Sequence, residues 1–176
     1  MVRISVFQTE GCGFKSRLLL QREMINKKDI VNRLENTKFA VLATADKYGN
    51  VSASQVCIVN EGLNVYIQTD KNFEKIKNIE QNKKVALNIG SMYFKGVAKI
   101  LDHPTKNKKF IEKIKEKHPR TYKSYTNLPN EVLIRIKLTE CKIWNVDSKE
   151  NIGNQNIIGI YDLVNDKQEI IISEKM

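Results

Sequence analysis

The residues best placed for chemistry lie around a predicted junction between a strand and a helix, at Thr69 and Lys75. The segment LNVYIQT reads as a strand, and NFEKIKNIEQN reads as a helix whose apolar residues recur at helical spacing. Backbone N–H groups and the dipole at a helix N-terminus attract anions, and Lys75 falls one turn into this helix. The spacing therefore indicates a phosphate site. A plainer interpretation stays open, in which Thr69 or Asp70 caps the helix and Lys75 is an ordinary exposed residue.

A second candidate lies in the strand VSASQVCIV, which is too polar for a strand in the middle of a core. Neither of its faces is cleanly apolar, so a ligand or a subunit interface is expected beside it. Cys57 would be a redox thiol in that setting, although a cysteine in a strand is more often a small buried apolar residue. The alternation of the strand puts these residues on its two faces: Val51, Ala53, Gln55 and Cys57 on one, and Ser52, Ser54, Val56 and Ile58 on the other.

The cysteines and histidines form no recognisable metal or nucleophile motif. Cys12, Cys57 and Cys141 are far apart and include no CxxC pair, which argues against a zinc site and a disulfide framework. This cysteine usage fits a reducing cytoplasm. His103 and His118 adjoin prolines at predicted helix boundaries, without a Ser or Cys nucleophile motif, so we assign neither a catalytic role.

The net charge of +10, from 30 basic and 20 acidic residues, raises the question of an anionic partner. The lysines are scattered, and the basic segment 106–117 alternates Lys with apolar residues as any surface helix does. The interleaved exposed aromatics of single-strand-binding barrels are missing, so nucleic-acid binding ranks last among the functions considered. No apolar run approaches a membrane-spanning length, and VRISVF is too short for a signal peptide.

The elements that must position these residues are mostly strands, which predicts a mainly β chain with helices, of the α+β class. Six strands with short hairpins around two or three helices indicate a Greek-key barrel. Asn26 is a good N-cap, and Asp29 takes the capping-box position of a helix that ends near Asn36. A further helix is expected over 105–117, and the long strand SMYFKGVAKIL is expected to bend at Gly96.

The chain is expected to hold one main domain over residues 26–147. Residues 1–25 are interpreted as an N-terminal arm in which VRISVF is a candidate strand. Residues 148–176 are predicted to form a C-terminal β-hairpin turned at Asn165-Asp166 and packed on the same domain. Pairing of this hairpin with VRISVF would bring the first and last predicted strands into one sheet.

The motifs of residues 28–146 also follow one another in the order of a known group of flavoproteins. These motifs resemble, in their order along the chain, those of the FMN-binding split-barrel superfamily, which includes pyridoxamine 5′-phosphate oxidase. They are LATADKYGNVSAS, TDKNFEKIKNIEQNKKV, GVAKILD and the late Trp144. The resemblance covers most of the chain, and the order of the motifs carries it more than any single one. It implies that the predicted barrel is a six-stranded split β-barrel.

The resemblance implies a homodimer with FMN at each end of the subunit interface and a small molecule as substrate. Thr69 and Lys75 would hold the FMN phosphate. The flavin ring would lie along Ser54, Gln55, Val56 and Cys57. Its other side would be covered by residues of the second subunit, namely Ser91, Met92, Tyr93 and Trp144.

The sequence departs from the family pattern at several ligand positions. Phe73 stands in place of a phosphate-binding Ser, Ser91 in place of a Gln, and Ala53 or Ser54 in place of an Arg. No Arg-x-His pair follows Trp144. Each missing charged hydrogen bond weakens binding by roughly 1.5–3 kcal/mol. We therefore expect an FMN-dependent oxidoreductase of unknown substrate that is not a pyridoxamine phosphate oxidase. The alternative is a non-catalytic binder of flavin, haem or another anionic ligand.

Overall fold

The computed structural model describes residues 2–5, 26–144 and 155–174, which form ten strands and four α-helices. The strands are β1 Val2–Ser5, β2 Phe39–Ala45, β3 Val51–Cys57, β4 Val59–Glu61, β5 Asn64–Asp70, β6 Lys84–Ile89, β7 Met92–Ile100, β8 Glu131–Trp144, β9 Gln155–Asp162 and β10 Lys167–Glu174. The helices are α1 Lys27–Asn36, α2 Glu74–Gln81, α3 Lys108–Lys117 and α4 Pro119–Tyr125, with a 3-10 turn at Pro104–Lys106. Most of the predicted N-terminal arm, including Cys12, and the end of the predicted main domain lie outside the described residues.

The sheet is antiparallel throughout and is organised around β8. Its strands follow the order β1-β10-β9-β8-β7-β6-β2-β3, and β5 pairs with both β4 and β8. The first half of β8 pairs with β5 and the second half with β9, while β7 runs along its opposite edge. The sheet curls into a half-barrel whose six strands β2, β3 and β5–β8 are those predicted from the sequence. The mainly β, α+β fold with a split barrel is therefore confirmed, and β4 and the terminal strands add to the predicted count.

The barrel interior is filled by the inward-facing residues of its strands. Leu42, Ile67, Phe94, Ile134 and Ile136 are almost completely buried there. Ile76 and Ile79 of α2, and Ile30 and Leu34 of α1, belong to the same core. Fully burying one such side chain stabilises the fold by roughly 1.5–3 kcal/mol. The two helices are therefore fixed to the barrel by their apolar stripes.

Helix α1 begins where the sequence predicts. The Asp29 backbone N–H donates to Asn26 Oδ1 at 3.0 Å, and the Asn26 N–H donates to Asp29 Oδ2 at 3.3 Å. Both halves of the capping box are thus present, with Asp in place of the usual Glu or Gln. The helix ends at Asn36, which confirms the predicted boundary.

The prediction that Thr69 or Asp70 caps helix α2 is wrong. Thr69 lies within β5, where it pairs with Val132, and it is therefore too far from the start of the helix to cap it. The Asp70 carboxylate accepts instead from the Asn72 N–H of the connecting turn, at 2.8 Å. Helix α2 begins at Glu74 after Phe73, which offers no side-chain cap. Its first N–H groups are thus left without a capping side chain.

The predicted helix over 105–117 is shorter than expected and is followed by another. Asn107 starts α3 by accepting from the Phe110 N–H at 3.0 Å, and Pro119 occupies the first position of α4. Phe110 and Ile114 of α3 pack with Leu133 of β8 in a second, smaller core. This core lies on the outer side of β5 and β8 and fixes α3 and α4 there.

The N- and C-terminal strands join in one sheet, as the sequence predicts. Strands β9 and β10 form the expected hairpin, and β1 pairs with β10. Strand β9 continues the barrel by pairing with β8, from Glu140 to Trp144. Tyr161 and Leu163 reach the main core, which anchors the hairpin. We call β1, β10 and β9 the terminal sheet.

Candidate functional site

The outward face of β3, β2, β6 and β7 is an apolar surface, which we call the outer sheet face. Directly paired residues of neighbouring strands share a face, and the register therefore brings Ala53, Ala43 and Ala86 into one line across β3, β2 and β6. Large apolar side chains surround these alanines and are between 41% and 73% exposed. They are Phe39, Val41, Val51, Tyr93 and Val97. A groove of about 480 Å³ crosses the face between the alanines and Gly96.

Two lysines at this face share one carboxylate, and a third, Lys84, lines the groove without an ion pair among the described residues. Lys95 Nζ lies 3.0 Å from Glu140 Oε1, and Lys142 Nζ lies 3.8 Å from the same oxygen. A contiguous group of exposed apolar side chains is typical of a surface that meets another protein. The outer sheet face thus has the character of an interface.

The predicted phosphate residue Lys75 lies in the first turn of α2 and is half-buried. Its Nζ lies 4.9 Å from the centre of the Phe73 ring. The four ion pairs found among the described residues involve other lysines, so no described carboxylate lies within 4 Å of it. Burial lowers the pKa of Lys75, and the neighbouring Glu74 opposes this effect. A desolvated cation without a counter-ion is suited to receive an anion.

Thr69, the other predicted phosphate residue, faces the barrel interior and is 7% exposed. Thr69 and Lys75 flank the same strand–helix junction along the chain, since only residues 71–73 separate β5 from α2. The acidic Glu74 also lies in the first turn of α2. A bound phosphate would meet this carboxylate as well as the Lys75 ammonium.

The polar strand β3 divides its residues as the alternation predicts. Gln55 is exposed and Cys57 half-buried on the outer sheet face, whereas Val56 is buried in the core and Ser54 is half-buried on the inner face. Ser52 owes its polarity to an internal contact, since its Oγ accepts from Asn78 Nδ2 at 3.1 Å. Ser52 therefore has a structural role, whereas Gln55 is open to a ligand outside the sheet.

The four residues expected from a second subunit lie together at the start of β7 and the end of β8. Ser91 and Tyr93 are exposed, Met92 is buried in the core, and Trp144 is 44% exposed. The Trp144 N–H donates to the Ser91 carbonyl at 3.2 Å. Strand β7 lies three strands from β3, or about 14 Å along the sheet. Within one chain, these residues and those of β3 therefore lie on well separated strands.

Cys57 and the histidines offer no assembled catalytic group. Cys57 Sγ lies 3.6 Å from Thr121 Oγ1 on α4. His118 is buried, its Nε2 lies 3.1 Å from the Ile58 carbonyl oxygen, and burial lowers its pKa. Both ring nitrogens of His103 are engaged, with Thr105 and with the Leu128 carbonyl. Among the described residues, no group of three or more His, Cys, Asp or Glu could hold a metal ion.

A buried carboxyl that sequence reasoning missed lies at the start of β8. Glu131 is 7% exposed and directly opposite Asp70 of β5. Burial, and then repulsion from Asp70, raise the pKa of Glu131, while His103 opposes them. No pattern in the sequence distinguishes this Glu from the exposed ones, because its pairing with Asp70 joins residues that are far apart in the chain.

We predict that Glu131→Gln stabilises the protein at neutral pH. The raised pKa means that the folded state binds the Glu131 proton more tightly than the unfolded state does. Stability from this group is therefore complete below the ordinary value of 4.5 and is lost as the pH rises through the folded-state pKa. The free energy of unfolding should increase by about 1–2 kcal/mol at pH 7, and this gain should shrink towards pH 4.

Thermal and urea unfolding between pH 4 and 8 checks this. Glu80→Gln, on the exposed face of α2, is the matched control and should change stability by less than about 0.5 kcal/mol. A Glu131→Gln protein that is less stable than the parent at pH 7 would contradict the prediction.

None of the helices that the structure describes is both long and apolar enough to cross a membrane.

Comparison with known proteins places this fold in a family. The family model for pyridoxamine 5′-phosphate oxidase matches residues 27–145. No curated protein sequence matches the chain. Among solved structures, the heme storage protein HutZ from Vibrio cholerae is 17% identical with a TM-score of 0.54, and the match covers 65% of this chain and 91% of HutZ.

Two other solved structures cover more of the chain. Campylobacter jejuni ChuZ is 13% identical with a TM-score of 0.63, over 87% of this chain and 67% of ChuZ. PhzG from Burkholderia lata 383, solved with tetrahydrophenazine-1-carboxylic acid, is 14% identical with a TM-score of 0.55, over 90% of this chain and 92% of PhzG. These likenesses show the fold. The family model spans well over half of the sequence, and the chain therefore belongs to the pyridoxamine 5′-phosphate oxidase family.

Proposed function

We propose that two copies of this chain form a homodimer that binds FMN at each end of its interface and acts as an oxidoreductase on a small molecule. The observation that carries the proposal is Lys75, a half-buried ammonium without a described carboxylate in contact. It lies at the position where the family holds the FMN phosphate. Membership of the family and the apolar outer sheet face support the same conclusion.

The dimer is proposed because the two halves of the expected ring site lie on separate parts of one chain. Gln55 and Cys57 lie on β3, and Tyr93 and Trp144 lie three and four strands away along the sheet. A second copy packed on the outer sheet face would bring its own Tyr93 and Trp144 against the first copy's β3. Such an isologous contact buries the apolar face of both copies at once.

The residues at the strand–helix junction fit an FMN phosphate, with fewer contacts than a complete site. Lys75 supplies one cation, and Phe73 replaces a hydroxyl donor with a ring that shields the ammonium from water. Glu74 repels the phosphate. When bound, FMN supplies the hydride or electron transfer. The chain's own part is to hold the phosphate, to place the ring between β3 and the second copy, and to exclude water with the apolar outer face.

Pyridoxamine phosphate oxidation is not the proposed reaction. The Arg-x-His pair that grips the substrate phosphate in those oxidases has no counterpart after Trp144. PhzG, with the same fold, was solved with a tricyclic carboxylic acid, and so this fold serves other organic molecules too. The substrate is left as a small molecule whose recognition does not use that pair.

A non-catalytic ligand carrier on the same fold is the second candidate. HutZ, named a heme storage protein, shares the fold and motivates it. The chain has two histidines, and both use a ring nitrogen within the fold, since His118 contacts the Ile58 carbonyl and His103 the Leu128 carbonyl. His103 would have to release one of its two ring contacts to bind haem iron, and His118 is buried, so the flavin is the better candidate.

The phosphate site can be tested by comparing FMN with riboflavin, which lacks only the phosphate. We expect the protein to bind FMN at least tenfold more tightly than riboflavin. Lys75→Ala should abolish most of this preference, because a charge-assisted contact is worth about 1.5–3 kcal/mol. Titration monitored by flavin fluorescence gives both dissociation constants.

Lys77→Ala is the matched control, because Lys77 is an exposed lysine on the same helix. It should leave the FMN preference unchanged. A protein that does not bind FMN at all, or that binds FMN and riboflavin equally, would overturn the proposed function. If FMN binds but is reduced by none of NADH, NADPH and dithionite-reduced dyes, the result favours the non-catalytic carrier.

A further inference from the structure

A buried polar network fixes helix α2 to the barrel in addition to the apolar stripe of the helix. Asn78 is buried, and its Nδ2 donates to Thr44 Oγ1 and to Ser52 Oγ, at 3.1 Å in each case. The two hydroxyl oxygens lie 3.2 Å apart, so the three side chains form a closed triangle of contacts. We call Asn78, Thr44 and Ser52 the Asn78 network.

The two hydroxyls of the Asn78 network belong to a firmly paired part of the barrel. Thr44 of β2 lies directly opposite Ser52 of β3, and the two strands pair along their whole length. Strand β2 also pairs with β6 along its other edge. The Asn78 network therefore ties α2 to a part of the sheet that is itself held in place by backbone hydrogen bonds.

The Asn78 network is the directional part of the contact between α2 and the barrel. Ile76 and Ile79 are buried in the same core, but apolar burial is non-directional and tolerates a small rotation of a helix. Hydrogen bonds weaken steeply when they bend, so the two from Asn78 fix how far α2 is rotated. Among the described residues, no other side chain of α2 hydrogen-bonds to the barrel, and Phe73 provides no cap.

The position of the Lys75 ammonium depends on this rotation. Lys75 precedes Asn78 by three residues, which places the two on neighbouring parts of the helix surface. Lys75 is half-buried, whereas Lys77, two residues further along, is exposed. A rotation of α2 would carry the Lys75 ammonium out towards water or deeper into the core. In either case it would move away from an anion bound beside the start of the helix.

We propose that Asn78 is a positioning residue, which holds α2 in the rotation that presents Lys75 to the phosphate of the cofactor. The inference rests on the proposed function, because Lys75 is the group that would meet this phosphate. It adds that the preference for a phosphorylated flavin depends on two hydroxyls of the barrel, those of Thr44 and Ser52. Asn78 acts through Lys75 and does not need to touch the ligand.

The test measures the dissociation constants of FMN and of riboflavin by flavin fluorescence. Asn78→Leu keeps a side chain of similar size but removes both hydrogen bonds to the barrel. It should lower the preference for FMN over riboflavin about fivefold or more, since a displaced charged hydrogen bond loses most of its strength. The dissociation constant of riboflavin should stay unchanged, because riboflavin has no phosphate for Lys75 to meet.

Thr44→Val is a second variant, which leaves α2 itself unaltered in case the Leu variant does not fold. It keeps the branched shape and removes one hydroxyl, so it should lower the FMN preference about threefold. Ile79→Val is the matched control, because it weakens the apolar stripe of the same helix and leaves the Asn78 network intact. It should lower thermal stability and leave the FMN preference unchanged.

A double variant shows whether Asn78 acts through Lys75. In the Lys75→Ala protein, Asn78→Leu should cause no further loss of the FMN preference, because residues that act through one contact are not additive. An independent further loss would overturn the inference. An unchanged FMN preference in the folded Asn78→Leu and Thr44→Val proteins, or an equal weakening of both flavins, would overturn it too. A parent protein without any FMN preference would overturn the proposed function instead, and the titration of the parent alone reveals that outcome.

Discussion

An Ala43→Glu protein is expected to be a folded monomer that no longer retains FMN. Ala43 lies at the centre of the outer sheet face, between Ala53 and Ala86. In a single chain the new carboxylate reaches water from this partly exposed position. In the proposed homodimer it would be buried in an apolar contact, and two-fold symmetry would place two such charges there.

The expected effect on dimerisation is at least a thousandfold. Burying an unpaired carboxylate costs several kcal/mol, and about 4 kcal/mol corresponds to three decades in a dissociation constant. Sedimentation equilibrium over micromolar concentrations measures the change, and flavin absorbance follows the loss of FMN. Leu128→Glu, which also places an acid at an exposed apolar residue but far from this face, should stay dimeric. If the Ala43→Glu protein dimerises as the parent does, the outer sheet face is not the interface.

A Gly96→Ala protein is expected to lose about 2–3 kcal/mol of stability. A Cβ at this position would lie 2.7 Å from Ile136 Cγ2 and 2.9 Å from the Lys137 carbonyl oxygen. Ile136 is completely buried, and the carbonyl belongs to β8, so neither neighbour moves easily. The site is also where β7 and β8 shift register, between Lys95 and Gly96, as the predicted bend implied.

Thermal unfolding of the Gly96→Ala protein should show a midpoint lower by about 4–12 °C, by the usual scaling for a domain of this size. Gly90→Ala separates crowding from backbone strain. Gly90 has φ +57° and no atom within 4 Å of an added Cβ, so its replacement should cost only about 1–2 kcal/mol. A Gly96→Ala protein more stable than the Gly90→Ala protein would show that β8 yields to the methyl group.

The sequence predicts the barrel well because its strands and turns carry local signals. FAVLATA and VALNI are apolar runs bounded by turn residues, and the Asn26 capping box is a local hydrogen-bond pattern. The start of α2 was mispredicted for a reason that is not local. Thr69 would make a good cap in isolation, but pairing with Val132, far along the chain, holds it in β5.

The candidate site is less readable than the fold because it depends on long-range burial. Packing around α2 decides whether Lys75 is an ordinary surface residue or a desolvated cation. The spacing of six residues between Thr69 and Lys75 does not reveal how far Lys75 is buried. The same holds for Glu131, whose neighbour Asp70 is brought to it by the β5–β8 register. The roles assigned to Ser54, Gln55 and the Trp144 region remain predictions, since they concern a ligand and a second copy.

The pairing of β1 with β10 also sets an order of events during folding. Val2 lies opposite Ile172, so β1 acquires its partner only after the chain has been synthesised as far as β10. Until then its backbone N–H and C=O groups can pair only with water or with other chains. Contacts between residues so distant in sequence form late and slowly, because closing long loops costs entropy before it brings any gain. The terminal sheet should therefore complete its hydrogen exchange protection after the barrel, in a distinct slower phase of refolding.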